Sequence, residues 1–202
     1  MTDDKAAQME EIAREVRNLK ESPLYGYRVE NGYDPVVGEG DVDANVMFIG
    51  EAPGKREAET GRPFVGASGR VLDELLEGIG LEREDVYITN VVKDRPPDNR
   101  DPRADEIELY TPFLLRQIEI IDPRVVATLG RFAMEFMLEE FDAPEYGRRI
   151  SDLHGQPLEV DVPFGSVGKV TLLPLFHPAV ALYNQNQRGT LEDDFRVLKR
   201  YL

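Results

Sequence analysis

Cysteine and tryptophan are both absent from this sequence of 202 residues. Without cysteine the chain has no thiolate, and this excludes a conventional 4Fe–4S cluster, which is held by four of them. Long apolar runs are missing too, since none approaches the roughly 20 residues of a membrane-spanning helix. The N-terminus is acidic, whereas a secretory signal peptide begins with basic residues. We therefore expect a soluble, cytoplasmic protein that does not bind a membrane.

Lysine is scarce: the chain has 6 lysines beside 18 arginines, and 39 acidic residues against 24 basic ones give a net charge of −15. An acidic, lysine-poor surface is typical of a protein that stays soluble in high salt. The alternative is a mesophilic acidic protein with an acidic face that binds a partner. Acidity disfavours a nucleic-acid ligand, because lysine and arginine supply the contacts to phosphate. In molar salt that objection weakens, since the Debye length falls to about 3 Å.

The acidic residues are unevenly distributed along the chain. Residues 1–46 carry 11 acidic and 5 basic side chains, whereas residues 93–103 carry 3 acidic and 4 basic ones. A nearly neutral, arginine-bearing segment is thus retained in an otherwise acidic protein.

The hydrophobic pattern predicts an α/β protein with a single domain, residues 1–202. Apolar residues at helical spacing predict a first helix over 4–21 that ends near Pro23. Short, wholly apolar runs predict buried strands at 46–49, 86–89, 125–129 and 170–173. Helical patterns lie between them, at 71–79, 107–121 and 132–138. Strands that alternate with helices in this way indicate a parallel sheet covered on both faces.

Unusual polar residues follow three of the predicted strands. Glu51 comes after the first strand, Asn90 after the second and His177 after the fourth. Ligands of such a fold bind beyond the carboxyl ends of the strands, so these residues should meet at one edge. The glycine-rich segment 61–69 then runs into a helix start, where backbone N–H groups suit a phosphate.

Each feature also has a purely structural interpretation. Glycines often only form tight turns, Asn90 can cap a turn, and Glu51 can be a solvated loop acid. A histidine before proline is often a packed loop residue, and Phe64 can belong to the core. The convergence of several such residues on one edge favours a functional site.

Four motifs together resemble those of family 4 uracil-DNA glycosylases. They are GEAPG at 50–54, GRPFVG at 61–66, NVVK at 90–93 with RPP at 95–97, and HPA at 177–179. The similarity runs from about Leu19 to the C-terminus. It implies a three-layer α/β/α sandwich around a central four-stranded parallel sheet. It also implies an enzyme of DNA base excision repair, which hydrolyses the bond between uracil and deoxyribose after flipping the nucleotide out of the helix.

The resemblance also implies roles for individual residues. Glu51, Asn90 and His177 would be catalytic, with Glu51 holding the attacking water and His177 donating to uracil O2. Glu51 is the least certain of these, because Ala52 stands where related families carry an aspartate base. Asn90 would read the edge of uracil, and Phe64 would stack on the base. Further contacts to the substrate would come from Gly50, Ala52 and Pro53. DNA phosphates would be bound at Gly66, Ser68, Gly69, Pro178 and Ala179.

The sequence departs from the family at the cluster and at one loop. The four cluster cysteines would fall at Leu19, Ser22, Asp94 and Tyr110, so we expect no cluster, no other metal and no cofactor. Leu19 and Tyr110 would fill the space with apolar groups, and Asp94 would pair with a nearby arginine, such as Arg95 or Arg103. Tyr183 replaces a residue that is often basic and would act as a wedge in DNA. His154 is expected to lie in a loop, without a chemical role.

Two rival functions remain open. One is a glycosylase that also accepts deaminated purines, and the other is an inactive scaffold that only binds DNA or a protein partner. The joint presence of Glu51, Phe64, Asn90 and His177 speaks against the inactive scaffold. The expected partner is uracil-containing DNA, bound by a monomer.

Overall fold

The computed structural model describes residues 2–164 and 168–202. The helices are α1 (Thr2–Arg17), α2 (Tyr25–Glu30), α3 (Lys55–Thr60), α4 (Ala67–Ile79), α5 (Ala104–Ile121), α6 (Arg131–Glu140), α7 (Ile150–Leu153), α8 (Val180–Tyr183) and α9 (Gln185–Arg196). The strands are β1 (Glu39–Gly40), β2 (Val46–Gly50), β3 (Tyr87–Asn90), β4 (Val125–Leu129), β5 (Leu158–Asp161) and β6 (Lys169–Leu175).

These strands form one sheet in the order β1-β3-β2-β4-β6-β5. The central strands β3, β2, β4 and β6 are parallel, as the sequence predicts, whereas β1 and β5 pair antiparallel at the two edges. The edge strands were not predicted. β1 has only two residues, and β5 is half-exposed and lacks the continuous apolar run of a buried strand.

The sheet lies between two apolar layers, which confirms the three-layer sandwich. Along β2, Met47 and Ile49 face one core with helices α1, α5 and α6. Val46 and Phe48 face the other core, with α4 and α9. Successive side chains of a strand point to opposite faces, so a fully apolar strand fills both layers.

The helix predictions differ from the structure mainly at the start and end of the chain. α1 ends at Arg17, and residues 18–24 form turns instead of continuing the helix. Helices α2 and α9 were not predicted. The sequence around α2 is rich in turn residues, and α9 contributes only the apolar residues Leu191 and Phe195 to the core. Among the described residues, no helix is long and apolar enough to cross a membrane.

Candidate active site

Three strands of the sheet end at one cavity of about 210 Å³. Glu51 follows β2, Asn90 is the last residue of β3, and His177 lies just beyond β6. All three line the cavity together with Phe64 and Ser68. The cavity is smaller than the ~300–1,000 Å³ of a typical drug-sized site. Its size suits a single flat base.

Phe64 and His177 lie next to each other in the lining of this cavity, with ring centroids 5.8 Å apart and the rings tilted by 32°. Phe64 has a φ of 49°, an uncommon value for a bulky residue. Arg83 supports this turn by donating to the carbonyl oxygens of Pro63 (2.6 Å) and Phe64 (3.1 Å). The aromatic ring is therefore held in place by its own backbone turn.

Asn90 lines the cavity, and Gly50 lies directly beside it. They are register partners on the adjacent strands β2 and β3. Asn90 is only 2% exposed, and its side-chain oxygen and the Phe64 ring both approach the Cα of Gly50. Glycine at position 50 therefore leaves room for the asparagine amide and the aromatic ring beside each other.

A buried lysine supports Asn90 from behind. The Nζ of Lys93 donates to the Asn90 carbonyl oxygen (2.8 Å), to the Thr89 hydroxyl (2.7 Å) and to Oε1 of Gln117 (2.6 Å). Burial lowers the pKa of Lys93 well below its usual range. The Thr89 hydroxyl donates its proton to the carbonyl oxygen of Val37, so toward the lysine it can only be an acceptor. Burial thus favours the neutral amine, but a neutral amine has only two N–H groups for these three acceptors, so the hydrogen bonds favour the ammonium ion.

The proton on the neutral His177 ring can be assigned from its surroundings. Nδ1 of His177 accepts a hydrogen bond from the backbone N–H of Ala179 at 3.1 Å. In the neutral ring the proton therefore lies on Nε2, which is then a donor. Burial lowers the pKa of His177, and the Ala179 N–H pointed at Nδ1 also opposes a second proton.

Glu51 also lines the cavity, where it is half-buried. Burial raises the pKa of its carboxyl group, and the negative charge of Asp101 acts in the same direction. Arg131 opposes the shift. A raised carboxyl pKa in a cleft is a common property of groups that take up a proton.

The glycine-rich segment leads into α4, as expected, with Gly66 at its N-cap. The N–H of Gly66 donates to a carboxylate oxygen of Glu57 at 2.8 Å, and the N–H of Val65 donates to the same atom at 2.9 Å. The Gly66 amide is thus occupied within the protein, as is the Ala179 amide. Ser68 and Gly69 lie in the first helical turn, where N–H groups lack partners in the helix.

Other residues that line the cavity were given no role from the sequence. Glu57, Pro96, Asn99 and Arg100 also line the cavity. Three of the four belong to the arginine-bearing segment 93–103, whose near-neutral charge was the available signal. Glu57 lies on α3, a helix of six residues with no apolar periodicity to reveal it.

Two other sequence candidates lie away from the cavity. Tyr183 ends α8, shortly after the His177 loop, and is 89% exposed. His154 follows α7 in a turn, where its Nδ1 lies 2.8 Å from Oδ2 of Asp194 and its ring packs against that of Phe176, tilted by 34°.

The four positions expected for cluster cysteines do not fit an iron–sulfur group, since none supplies a thiolate. The Tyr110 hydroxyl lies 2.8 Å from the hydroxyl of Ser22 and donates to Asp94 at 2.5 Å. Leu19 packs half-buried against the apolar core, as expected. Tyr110 is buried as well, but its hydroxyl makes the environment polar.

The partner expected for Asp94 was wrong. Its carboxylate oxygens accept from Nη1 of Arg28 on α2, at 3.0 and 3.1 Å. Arg95 instead donates to the hydroxyl of Tyr33, and Arg103 is exposed. Asp94 points into the protein, where it is 1% exposed, and only a buried arginine can reach it there.

Comparison with known proteins agrees with this geometry. The family model of the uracil DNA glycosylase superfamily matches residues 37–201. The type-4 uracil-DNA glycosylase of Archaeoglobus fulgidus is 43% identical over 190 residues, covering 94% of this chain and 91% of the relative. The type-4 enzyme of Sulfurisphaera tokodaii is 42% identical over 192 residues, with 95% and 83% covered. A type-5 uracil-DNA glycosylase of Pyrobaculum aerophilum is 32% identical over 181 residues, with 82% and 74% covered. The chain therefore belongs to the uracil-DNA glycosylase superfamily and, within it, to the type-4 uracil-DNA glycosylases.

Proposed function

We propose that this protein is a DNA-repair glycosylase that removes uracil from DNA and leaves an abasic site. The observation that carries the proposal is the convergence of Phe64, Asn90 and His177 on one cavity of about 210 Å³. An aromatic ring, an amide and a hydrogen-bond donor are the groups needed to stack, read and activate one base. The type-4 relatives named above support the same activity.

Base recognition rests on Asn90. Its side-chain amide offers a donor and an acceptor together, which match O4 and N3–H of uracil. Cytosine presents an amino group and an unprotonated N3, so the same amide would be left mispaired. A buried polar group without a partner discriminates strongly. Phe64 recovers part of the cost of flipping, because stacking a base on an aromatic ring is worth about 1–3 kcal/mol.

Departure of the base rests on His177. As the bond between N1 of uracil and C1′ of the sugar breaks, its electron pair moves onto uracil, and negative charge develops at O2. The Nε2–H of neutral His177 donates to O2, a contact that strengthens as the charge grows. Loss of one such donor typically costs about 2.7–4 kcal/mol of barrier.

Attack by water rests on Glu51. The carboxylate orients a water molecule toward C1′ and accepts its proton as the new C–O bond forms, while its charge favours the cationic sugar. Ser68, Gly69 and the loop of Pro178 would contact DNA phosphates. We further propose that the protein acts as a monomer in the cytoplasm.

The test is abasic-site formation on an oligonucleotide with one uracil, read as strand scission by alkali in low and in molar salt. Wild-type protein should cleave, and His177→Ala and Asn90→Ala should lose at least about a hundredfold in kcat/KM. Asn45→Ala is the matched control, because Asn45 is exposed at the opposite end of β2. Absence of scission at every salt concentration would refute the proposal.

The wider specificity is tested with the same assay. Oligonucleotides with hypoxanthine or xanthine should remain intact under conditions in which uracil is released completely. Release of either purine base at a comparable rate would favour the broader glycosylase instead.

A further inference from the structure

Arg28 is a buried arginine that joins three parts of the chain. Its Nη1 donates to both oxygens of Asp94, in the loop after β3. The same guanidinium donates to the backbone oxygens of Val16 (3.2 Å) and Arg17 (2.7 Å), at the C-terminal end of α1. Helix ends have free carbonyl oxygens and favour a positive charge. One residue of α2 therefore binds α1 and the loop together.

A chain of hydrogen bonds extends this contact to α5. Asp94 accepts from Tyr110 of α5, so the Tyr110 oxygen must accept from Ser22. Ser22 in turn accepts from the N–H of Leu24 at 3.1 Å. Burial raises the pKa of the Tyr110 phenol, and the charge of Asp94 adds to the shift, so the hydroxyl remains a donor. The donor of each hydrogen bond in this chain is therefore defined, and the last acceptor is the Asp94 carboxylate.

The same loop reaches the proposed active site. Pro96 lines the cavity and lies two residues after Asp94, a span of about 7 Å at most. Asn99 and Arg100 line it further along. Between the two parts, Arg95 donates to Asn99 at 2.8 Å and to the hydroxyl of Tyr33 at 2.9 Å. The position of the cavity wall thus depends on where Asp94 is held.

We propose that a polar clasp, made of Arg28, Asp94, Tyr110 and Ser22, replaces the iron–sulfur cluster implied for this family and holds the same part of the chain together without a metal. Arg28 is its central positioning residue. The clasp holds the loop of residues 93–100 against α1, α2 and α5, so that Pro96, Asn99 and Arg100 keep their places around the flipped base. The part that concerns the base rests on the proposed function.

Burial makes this clasp suited to a salty environment. Arg28 and Asp94 are 5% and 1% exposed, so mobile ions reach neither partner. A more exposed pair offers a comparison: Arg116 of α5 donates to Glu15 of α1 at 2.6 and 2.9 Å, and the two side chains are 41% and 40% exposed. Salt should weaken the exposed pair and leave the clasp intact.

The experiment is a double-mutant cycle with Arg28→Met, Asp94→Leu and the double variant, measured by thermal unfolding in 0.1 M and in about 2 M salt. Each single variant should lower Tm by about 6–20 °C, because it leaves a buried charge without its partner. The fall in Tm of the double variant should be clearly smaller than the sum of the falls in the two single variants. This difference, the coupling between Arg28 and Asp94, should be equal at both salt concentrations. Glu15→Gln with Arg116→Gln is the control cycle, and its smaller coupling should vanish in high salt.

Tyr110→Phe tests the clasp without removing a charge, in case a single variant fails to fold. It should raise KM for uracil-containing DNA about tenfold with kcat nearly unchanged, since Pro96, Asn99 and Arg100 of the loop line the cavity proposed to hold the base, while His177 is untouched. The proposal would be overturned by falls in Tm that simply add up in the Arg28–Asp94 cycle, or by a coupling that disappears in high salt. An unchanged KM in Tyr110→Phe would also overturn it. The unfolding measurements do not require activity, so their outcome is independent of whether the protein removes uracil.

Discussion

Gly50 and Asn90 lie so close together at the ends of β2 and β3 that a Cβ on Gly50 would be 2.4 Å from Oδ1 of Asn90. The same Cβ would be 2.7 Å from the ring of Phe64. Gly50→Ala should therefore displace Asn90 and Phe64, the two groups proposed to hold the base. We expect kcat/KM on uracil-containing DNA to fall about a hundredfold, because a displacement near 1 Å has this effect.

Gly78→Ala is the matched control for this change. Gly78 lies inside α4, and nothing would lie within 4 Å of a new Cβ. Alanine there should stabilise the protein by about 0.5–1 kcal/mol and leave kcat/KM unchanged. Equal activities of the two variants would contradict the tight fit at Gly50.

Lys93→Met should destabilise the protein. The change leaves the Asn90 carbonyl oxygen and the Gln117 amide oxygen buried without their donor, at a cost of about 1–3 kcal/mol for each such group. The free energy of unfolding in urea gives the measurement. Lys199→Met is the control, since Lys199 is exposed and should change stability by less than about 0.5 kcal/mol. An equal effect of the two substitutions would show that the Lys93 bonds are unimportant.

Activity should fall in acid because of Glu51. In the proposed mechanism its carboxylate accepts a proton from water, and its raised pKa means that it protonates at a higher pH than an ordinary glutamate does. The plot of kcat/KM against pH should thus decline below a midpoint above about 4.3, the usual glutamate pKa. His177 should add no decline near its ordinary value of about 6.5, because its pKa is lowered.

Glu51→Gln distinguishes this assignment from others. The variant should be much slower at neutral pH and should lack the acid decline. A decline of the same midpoint in Glu51→Gln would assign the titration to another group and remove Glu51 from the role of base.

Tyr183→Ser should impair the use of duplex DNA more than that of single strands. A side chain that is 89% exposed beside the His177 loop contributes little to folding. As a wedge, it would stabilise only a base step that flipping has opened, and unstacking costs a few kcal/mol in a duplex. The ratio of kcat/KM values for the two substrates should shift about tenfold or more toward the single strand. An unchanged ratio, with Tm also unchanged, would exclude the wedge.

Much of the site could be predicted because parallel strands share one edge. Glu51, Asn90 and His177 each follow an apolar run, and the alternation of strands and helices places all three run ends together. Glu57 could not be found in this way, since it lies on a short helix and does not directly follow a strand. The hydrogen-bond partners of the Gly66 and Ala179 amides could not be predicted either, because they depend on the conformation of the folded backbone.

The sequence by itself determined the parallel sheet, its two apolar layers and the edge at which the motifs meet, because these follow from local periodicity and from the order of strands along the chain. It also determined that no thiolate can hold a cluster. Only the tertiary structure decided what takes its place: Asp94 pairs with Arg28, 66 residues away, although Arg95 is its neighbour. The reason is physical, since a pairing between buried charges depends on which helix ends approach each other in space, and neither residue type nor distance along the chain records that approach.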